Sequence, residues 1–180
     1  NEFNNAMYFR LFTEIAFCNE FIRNTTDEML NTNGISGANA DEARVMRAEA
    51  RFLRAQAYYH LLDMYGNVPF VDETTLGTVP KQIMRADLFN YVEAQLKEAE
   101  AGLKAPKTNE YGRLDKAAAW CLMARLYLNA KVYTGTERNA DVIANCDKVI
   151  SAGYGLNPKY ENLFLADNNV NNPENIFSVV

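Results

Sequence analysis

Apolar residues recur every three or four positions along most of this chain, and this spacing constrains its fold more than any other feature. Long amphipathic stretches of this kind are typical of helices that bury one face. The spacing predicts five helices and a short sixth, over about residues 2–24, 40–65, 85–103, 115–132, 137–151 and 158–164. A turn-rich loop covers 31–37, and only 68–71 suggests a short extended piece. The sequence therefore predicts an all-α domain with at most short strands.

Individual residues refine these predicted helices. Asp115 stands where a side-chain oxygen can cap the fourth helix, and Gly66 is expected to end the second. In the fifth helix, the apolar stripe is expected to face inward; it consists of Ile143, Cys146 and Ile150. Arg51 and Arg54 lie at helical spacing. Two interpretations of these arginines stay open: a buried ion-pair network that holds the second helix to the chain around 68–69, or a ligand clamp.

Charge and cysteine usage exclude several classes of protein. The 180 residues carry a formal net charge of −5, which argues against nucleic-acid binding, because such binding needs a basic surface. No run of 18 apolar residues is present, so no membrane-spanning helix is predicted. Cys18, Cys121 and Cys146 lack zinc-ligand spacing. We expect them to be buried as small hydrophobes, the alternative being a Cys121–Cys146 disulfide.

The chain offers no recognisable catalytic constellation. His60 is the only histidine, and no nucleophile is spaced to work with it. Glu49 and Asp63 lie 14 residues apart on one predicted helix, about 21 Å along its axis, whereas a glycosidase needs its carboxyl groups about 5–9.5 Å apart. The series Asp167, Asn169, Asn171 lacks the glycine and glutamate of a calcium loop. We therefore predict no enzyme, no metal and no cofactor.

The fourth helix carries a repeat pattern. Trp120, Met123, Ala124 and Tyr127 match the W-x-x-L-G-x-x-Y start of a tetratricopeptide repeat, with alanine in place of glycine. A small residue at 124 would let the fifth helix approach, and Trp120 is expected in the core. On this pattern alone, the chain would be a tetratricopeptide-type protein–protein interaction module.

Longer motifs point to one particular family. Five segments in order closely resemble the E-A-R-F-L-R-A…Y, Y-G-D-V-P, G-R-x-x-K-x-A-A, S-x-G-Y-x-L and N-x-E-x-I-F signatures of the SusD/RagB family. The departure in the second segment is Asn67 where aspartate is usual. These segments lie at 49–58, 65–71, 111–119, 151–156 and 172–177, the last expected as a strand.

The resemblance implies a fold, a function and a partner. Members are surface-exposed lipoproteins of the bacterial outer membrane that capture glycans without cleaving them and work with a SusC-like TonB-dependent transporter. Their N-terminal part is a tetratricopeptide-like helical array. Residues 1–180 resemble that part only, so we expect a fragment that lacks the lipid-bearing N-terminus and the C-terminal half. Attachment to the membrane would then be through a lipid anchor outside this chain.

Sugar rings stack on exposed aromatic side chains, so loop tyrosines are the candidate glycan-binding residues. Tyr111, Tyr133 and Tyr154 fall in three separate predicted loops. A sugar site needs aromatic faces and polar groups that converge in one concavity. If the missing half supplies part of that site, we expect these 180 residues alone to bind sugar weakly or not at all. The sequence does not identify the glycan.

Overall fold

The computed structural model describes residues 2–75, 77, 79–170 and 172–177. Over these residues the chain forms seven α-helices, one two-stranded antiparallel sheet and one 3₁₀ turn. In chain order they are α1 (Glu2–Asn24), α2 (Asp27–Thr32), α3 (Gly37–Tyr65), β1 (Val68–Phe70), β2 (Lys81–Ile83), α4 (Arg85–Gly102), α5 (Lys116–Leu128), α6 (Ala130–Thr134), α7 (Asn139–Ser151) and the turn Tyr160–Phe164. The predicted all-α class is confirmed, and the five long helices lie where their apolar stripes placed them.

The helices pack as a chain of neighbours. Helix α3 lies between α1 and α4, α4 contacts α5, and α5 packs against α7. The stripes of these helices meet in one continuous core, with Ile15 of α1, Leu61 of α3 and Leu96 of α4 fully buried. Each helix thus buries one face against the next, the arrangement expected of a helical repeat array.

Several elements differ from the sequence-based prediction. Strand β2 was not predicted; it pairs with β1 so that Val68 lies opposite Ile83. Helix α2 was not predicted either; it lies between the first two predicted helices and overlaps the predicted turn-rich loop only at residues 31–32. The predicted fourth helix breaks at Asn129, and the chain continues as the separate short helix α6. Asp115 does cap α5, accepting hydrogen bonds from the backbone N–H groups of Ala117 and Ala118 at 2.8 and 3.4 Å.

The last helix, α7, is rotated relative to its predicted orientation. Ile143 and Ile150 are 62% and 68% exposed, and Cys146 is also exposed, so the expectation that these residues face inward is wrong. The side of α7 that packs on α5 instead carries the buried Asn145 and the half-buried Val142. The expectation of three buried cysteines accordingly holds for Cys18 alone, and all three thiols are free.

A buried arginine joins three parts of the fold. The Arg54 side chain of α3 is fully buried. It donates hydrogen bonds to Asn19 Oδ1 of α1 at 2.6 Å and to Gln95 Oε1 of α4 at 2.5 Å, and it forms an ion pair with Glu73 in the loop after β1. The structural interpretation of Arg54 is therefore confirmed, although its partner in that loop is Glu73 rather than residues 68–69.

The turn after α3 is fixed by the same helix. The Tyr58 hydroxyl donates to the Val71 carbonyl at 2.7 Å and accepts from the Val71 N–H at 2.9 Å. Gly66 ends α3 at φ 75°, and a Cβ there would lie 2.6 Å from the Arg85 guanidinium. The positive φ favours glycine at this position, whereas the Arg85 side chain could shift to make room for a Cβ.

Within the described ranges, no helix combines the length and the apolarity that crossing a bilayer requires.

Replacing Arg54 with alanine should destabilise the protein by about 3–5 kcal/mol, because it leaves Glu73, the buried amide of Asn19 and the half-buried amide of Gln95 without their donor. Arg44→Ala on the same helix is the matched control. Arg44 pairs with Asp27 and Asp41 on the surface, so its loss should cost less than about 1 kcal/mol. Urea unfolding monitored by circular dichroism would measure both. Equal effects would show that the buried network does not hold α1, α3 and α4 together.

Candidate functional site

An open cleft lies at the start of α5 and contains two of the three predicted tyrosines. Its volume is about 450 Å³. The chain before α5 supplies one wall, Tyr154 the back, and the asparagine-rich loop that follows Asp167 the other wall. Tyr111 is 56% exposed at the rim, and Tyr154 is half-buried. Residues 43 positions apart in the chain therefore meet at one concavity, although the sequence placed them on separate loops.

Asp115 holds the back of this cleft. Its side chain is 4% exposed and accepts hydrogen bonds at 2.8 Å from the Tyr154 hydroxyl, the Lys107 backbone N–H and the Ala117 N–H. Burial and the neighbouring Asp115 carboxylate both raise the pKa of Tyr154, so its hydroxyl stays protonated and donates. The tyrosine is thereby fixed in position by the residue that caps α5.

The Tyr154 ring is also covered on one side. The Lys107 ammonium lies 4.6 Å from the ring centroid and donates to the Gly153 carbonyl at 2.5 Å. A cation over an aromatic face is a stabilising contact. Tyr111, whose ring is mostly exposed, therefore offers the larger aromatic surface to a molecule in the cleft.

Ion pairs hold the wall formed by the chain before α5 to helix α3. Arg113 pairs with Glu49 at 2.9 Å and with Glu42 at 2.5 Å, and Asn109 donates to Glu49 at 2.8 Å. The hydrogen bond from Arg113 is the main cause of the lowered pKa of Glu42. The Arg113 guanidinium is paired with the Glu42 and Glu49 carboxylates, so Arg113 makes this wall more rigid.

Asparagines line the opposite wall. Asn169 and Asn172 face the cleft, and Asn172 accepts from the Glu174 N–H at 3.1 Å while donating to the Asn168 carbonyl at 2.8 Å. Neither the cleft nor these two amides was identified from the sequence. The available signal was the run of asparagines after Asp167, which carries no information on what it faces.

The predicted strand at the end of the chain does not form over the residues described there. Residues 172–177 are turns and irregular backbone, and residues 178–180 of the predicted extended run lie outside the described residues. Glu174 accepts a hydrogen bond from the Asn157 N–H at 3.0 Å, while Ile176 and Phe177 pack against the core. This segment therefore closes back onto the helices.

Tyr133 is not at this site, and its interpretation as an exposed loop aromatic is wrong. Its side chain is 6% exposed, its ring centroid lies 6.2 Å from that of Phe89, and its hydroxyl donates to Asp63 Oδ1 at 2.7 Å. The helix break at Asn129 causes the difference, because α6 turns Tyr133 into the core. Its ring offers little surface for a sugar.

Trp120 and Ala124 are each half-buried rather than fully buried. Trp120 packs against the core and donates from its indole nitrogen to Glu100 at 2.5 Å. Contact between α5 and α7 agrees with the predicted repeat hairpin.

The two carboxylates that were considered for catalysis, Glu49 and Asp63, form hydrogen bonds with other side chains of the fold. Glu49 binds Arg113 and Asn109, and Asp63 accepts from Tyr133. His60 is half-buried, and burial lowers its pKa. Within the part of the chain that the structure describes, no group of three His, Cys, Asp or Glu side chains could hold a metal ion.

Comparisons with known proteins agree on one family. A family model described as SusD-like, starch-binding and associating with the outer membrane matches residues 4–128. The chain is 39% identical over 165 residues to the starch-binding protein SusD of Bacteroides thetaiotaomicron, and 24% identical over 161 residues to SusD-like protein P2 of Formosa agariphila. These alignments cover 92% and 86% of this chain but 28% and 31% of the two relatives.

Solved structures share the fold. A SusD-like carbohydrate-binding protein from Bacteroides fragilis superposes with a TM-score of 0.77 at 26% identity, covering 98% of this chain and 33% of that protein. Surface glycan-binding protein A from Bacteroides uniformis gives a TM-score of 0.77 at 19% identity, covering 96% of this chain and 37% of that protein. The five motifs, the helical array and these relatives agree: the chain belongs to the SusD-like family.

Proposed function

We propose that this chain is the helical part of a non-catalytic glycan-capture lipoprotein on the outer-membrane surface, which works with a SusC-like TonB-dependent transporter in nutrient uptake. The observation that carries the proposal is the 39% identity, over 92% of the chain, to a starch-binding protein. The chain spans less than a third of that relative, so the remaining part of the binding surface and the lipid anchor would lie in further sequence.

The cleft of Tyr111 and Tyr154 is our proposed glycan contact within this chain. A volume of about 450 Å³ falls in the usual range for small-molecule sites. The exposed Tyr111 ring would stack on a pyranose face. The Asn169 amide and the second N–H of the Asn172 side chain are groups that suit sugar hydroxyls.

The carboxylates beside the cleft support binding without hydrolysis. Asp115 is 4% exposed, and its oxygens already accept hydrogen bonds from Tyr154, Lys107 and Ala117. A glycosidase needs one free carboxylate and one raised-pKa acid on either side of the scissile bond. Glu110 is exposed to solvent and lies on the same wall as Asp115, which supports a rim position rather than a catalytic one.

Exposed aromatic residues on helix α1 support the proposal of a protein partner. Phe9 and Phe17 on its outer side are 61% and 72% exposed, and Phe21 is 38% exposed. Exposed aromatic patches of this kind mark protein interaction sites. We propose that the transporter contacts this side of the helical array, which also accounts for the tetratricopeptide-like architecture of a protein that captures sugar.

Tyr111→Ala in the full gene product should weaken binding of maltoheptaose about tenfold, because the stacking face is lost. Tyr160→Ala is the matched control: Tyr160 is 73% exposed and lies outside the cleft. Isothermal titration calorimetry would give both dissociation constants. If Tyr111→Ala binds maltoheptaose as tightly as the unaltered protein, the glycan does not bind in this cleft. If the unaltered protein binds no glycan at all, the proposal of glycan capture is itself wrong.

Incubation with maltoheptaose or laminarin oligosaccharides should leave their chain length unchanged. Reducing-end assays and mass spectrometry of the products would detect cleavage. Steady release of reducing ends that disappears in Glu110→Gln or Asp115→Asn would establish a hydrolase and refute the non-catalytic proposal.

Phe17→Glu should reduce co-purification with a co-expressed SusC-like transporter, because a charge would enter the proposed apolar contact. The control is Glu20→Gln, a change at an exposed residue on the same helix. Equal recovery of the transporter with both variants would exclude this side of α1 as the contact. Maltoheptaose affinity should not change in either variant.

A further inference from the structure

Lys107 has a strained backbone at the edge of the cleft. Its φ is 61°, and within the described ranges no other residue except glycine has a positive φ. The Thr108 N–H donates to the Ala105 carbonyl at 3.2 Å, which closes a β-turn with Pro106 and Lys107 at its centre. A turn with proline second and a left-handed residue third is of type II, and its third position usually holds glycine or asparagine. The chain therefore carries a lysine where glycine would fit without strain.

The contacts that fix this turn do not use the lysine side chain. The Lys107 backbone N–H donates to Asp115 Oδ2 at 2.8 Å, and the Thr108 hydroxyl donates to the Ala105 carbonyl at 2.8 Å. A glycine at position 107 would keep both hydrogen bonds, because it has the same backbone N–H. The geometry of the turn therefore does not explain the lysine.

The side chain of Lys107 lies in the cleft and keeps donors for a ligand. Its ammonium is 4.6 Å from the centroid of the Tyr154 ring and donates to the Gly153 carbonyl at 2.5 Å. Lys107 is exposed, and both of these partners are neutral. Arg113, the other cation that lines the cleft, is instead paired with two carboxylates. Because an ammonium has three N–H donors, Lys107 can bind a ligand without breaking an ion pair.

Strained backbone of this kind is found most often at binding sites, where the surrounding structure holds the residue in place. Lys107 has both features of such a residue. Asp115 binds its backbone N–H, and Asp115 is itself buried at the start of α5. The strain is thus supported by the same carboxylate that positions Tyr154.

We infer that Lys107 is a glycan-binding residue of the cleft, and that its strained backbone is retained because it places the ammonium beside the sugar. The inference rests on the glycan contact proposed above. A sugar stacked on Tyr111 would have its hydroxyl and ring oxygens in the same concavity as the Lys107 ammonium, which would donate to them. The flexible side chain can leave the Tyr154 ring to do so, because a cation–π contact at an exposed site is weak.

Lys107→Gly separates binding from stability, because it removes the ammonium and the backbone strain together. In the full gene product, the dissociation constant of maltoheptaose should rise about tenfold. The melting temperature should stay the same or rise by about 1–2 °C. Isothermal titration calorimetry measures the first quantity, and thermal unfolding followed by circular dichroism measures the second. A lysine that only supported the fold would lower the melting temperature when replaced.

Lys159→Gly is the matched control. Lys159 is exposed, does not line the cleft and has an ordinary φ of −122°. The same change there should leave the affinity for maltoheptaose unaltered and lower the melting temperature by about 1–2 °C, because glycine adds freedom to the unfolded chain without relieving strain. Lys107→Arg keeps a cationic donor that can also stack on an aromatic ring, so it should bind maltoheptaose within about threefold of the unaltered protein.

Three outcomes would overturn the inference, and they distinguish it from the proposal on which it rests. If Lys107→Gly binds maltoheptaose as tightly as the unaltered protein, Lys107 does not bind the glycan, while glycan capture itself stands. If Lys107→Gly loses affinity and also melts below Lys159→Gly, the role of the lysine is structural. If the unaltered protein binds neither maltoheptaose nor laminarin oligosaccharides, the proposed function is wrong and the inference is wrong with it.

Discussion

The buried guanidinium of Arg54 is the interaction on which the rest of the fold depends. A charge with no solvent contact is tolerated only if partners surround it, and here those partners come from α1, α4 and the loop after β1. Apolar stripes would allow α1 and α4 to slide or rotate along α3. The fixed positions of Asn19, Gln95 and Glu73 around one planar group define how these segments meet.

The family motifs mark similar contacts elsewhere in the array. Glu49 of the first motif pairs with Arg113 of the third, and Asp115 of the third accepts the hydroxyl of Tyr154 from the fourth. The motifs therefore identify a scaffold. The cleft contains motif residues that these contacts hold in place, together with loop residues outside the motifs, Asn169 among them. Binding loops on a rigid frame commonly show this division.

The aromatic side of α1 lies outside this frame of contacts. Phe9, Phe17 and Phe21 are exposed there, and we propose that the transporter contacts them. The cleft would then lie on the same rigid frame, with Tyr154 already positioned by Asp115.

The sequence by itself determined the five long helices, the Asp115 cap, the glycine that ends α3 and the family, because each depends on residues close together in the chain. Tertiary structure decided four other features. Strand β2 exists because it pairs with β1, and Tyr133 is buried because the chain breaks at Asn129. Helix α7 packs on α5 through Val142 and Asn145 rather than through the predicted stripe of Ile143, Cys146 and Ile150. Tyr111 and Tyr154 share a cleft because Asp115 binds one of them beside the loop that carries the other. Local spacing defines an apolar face but not its neighbour, and that choice depends on contacts between residues far apart in sequence.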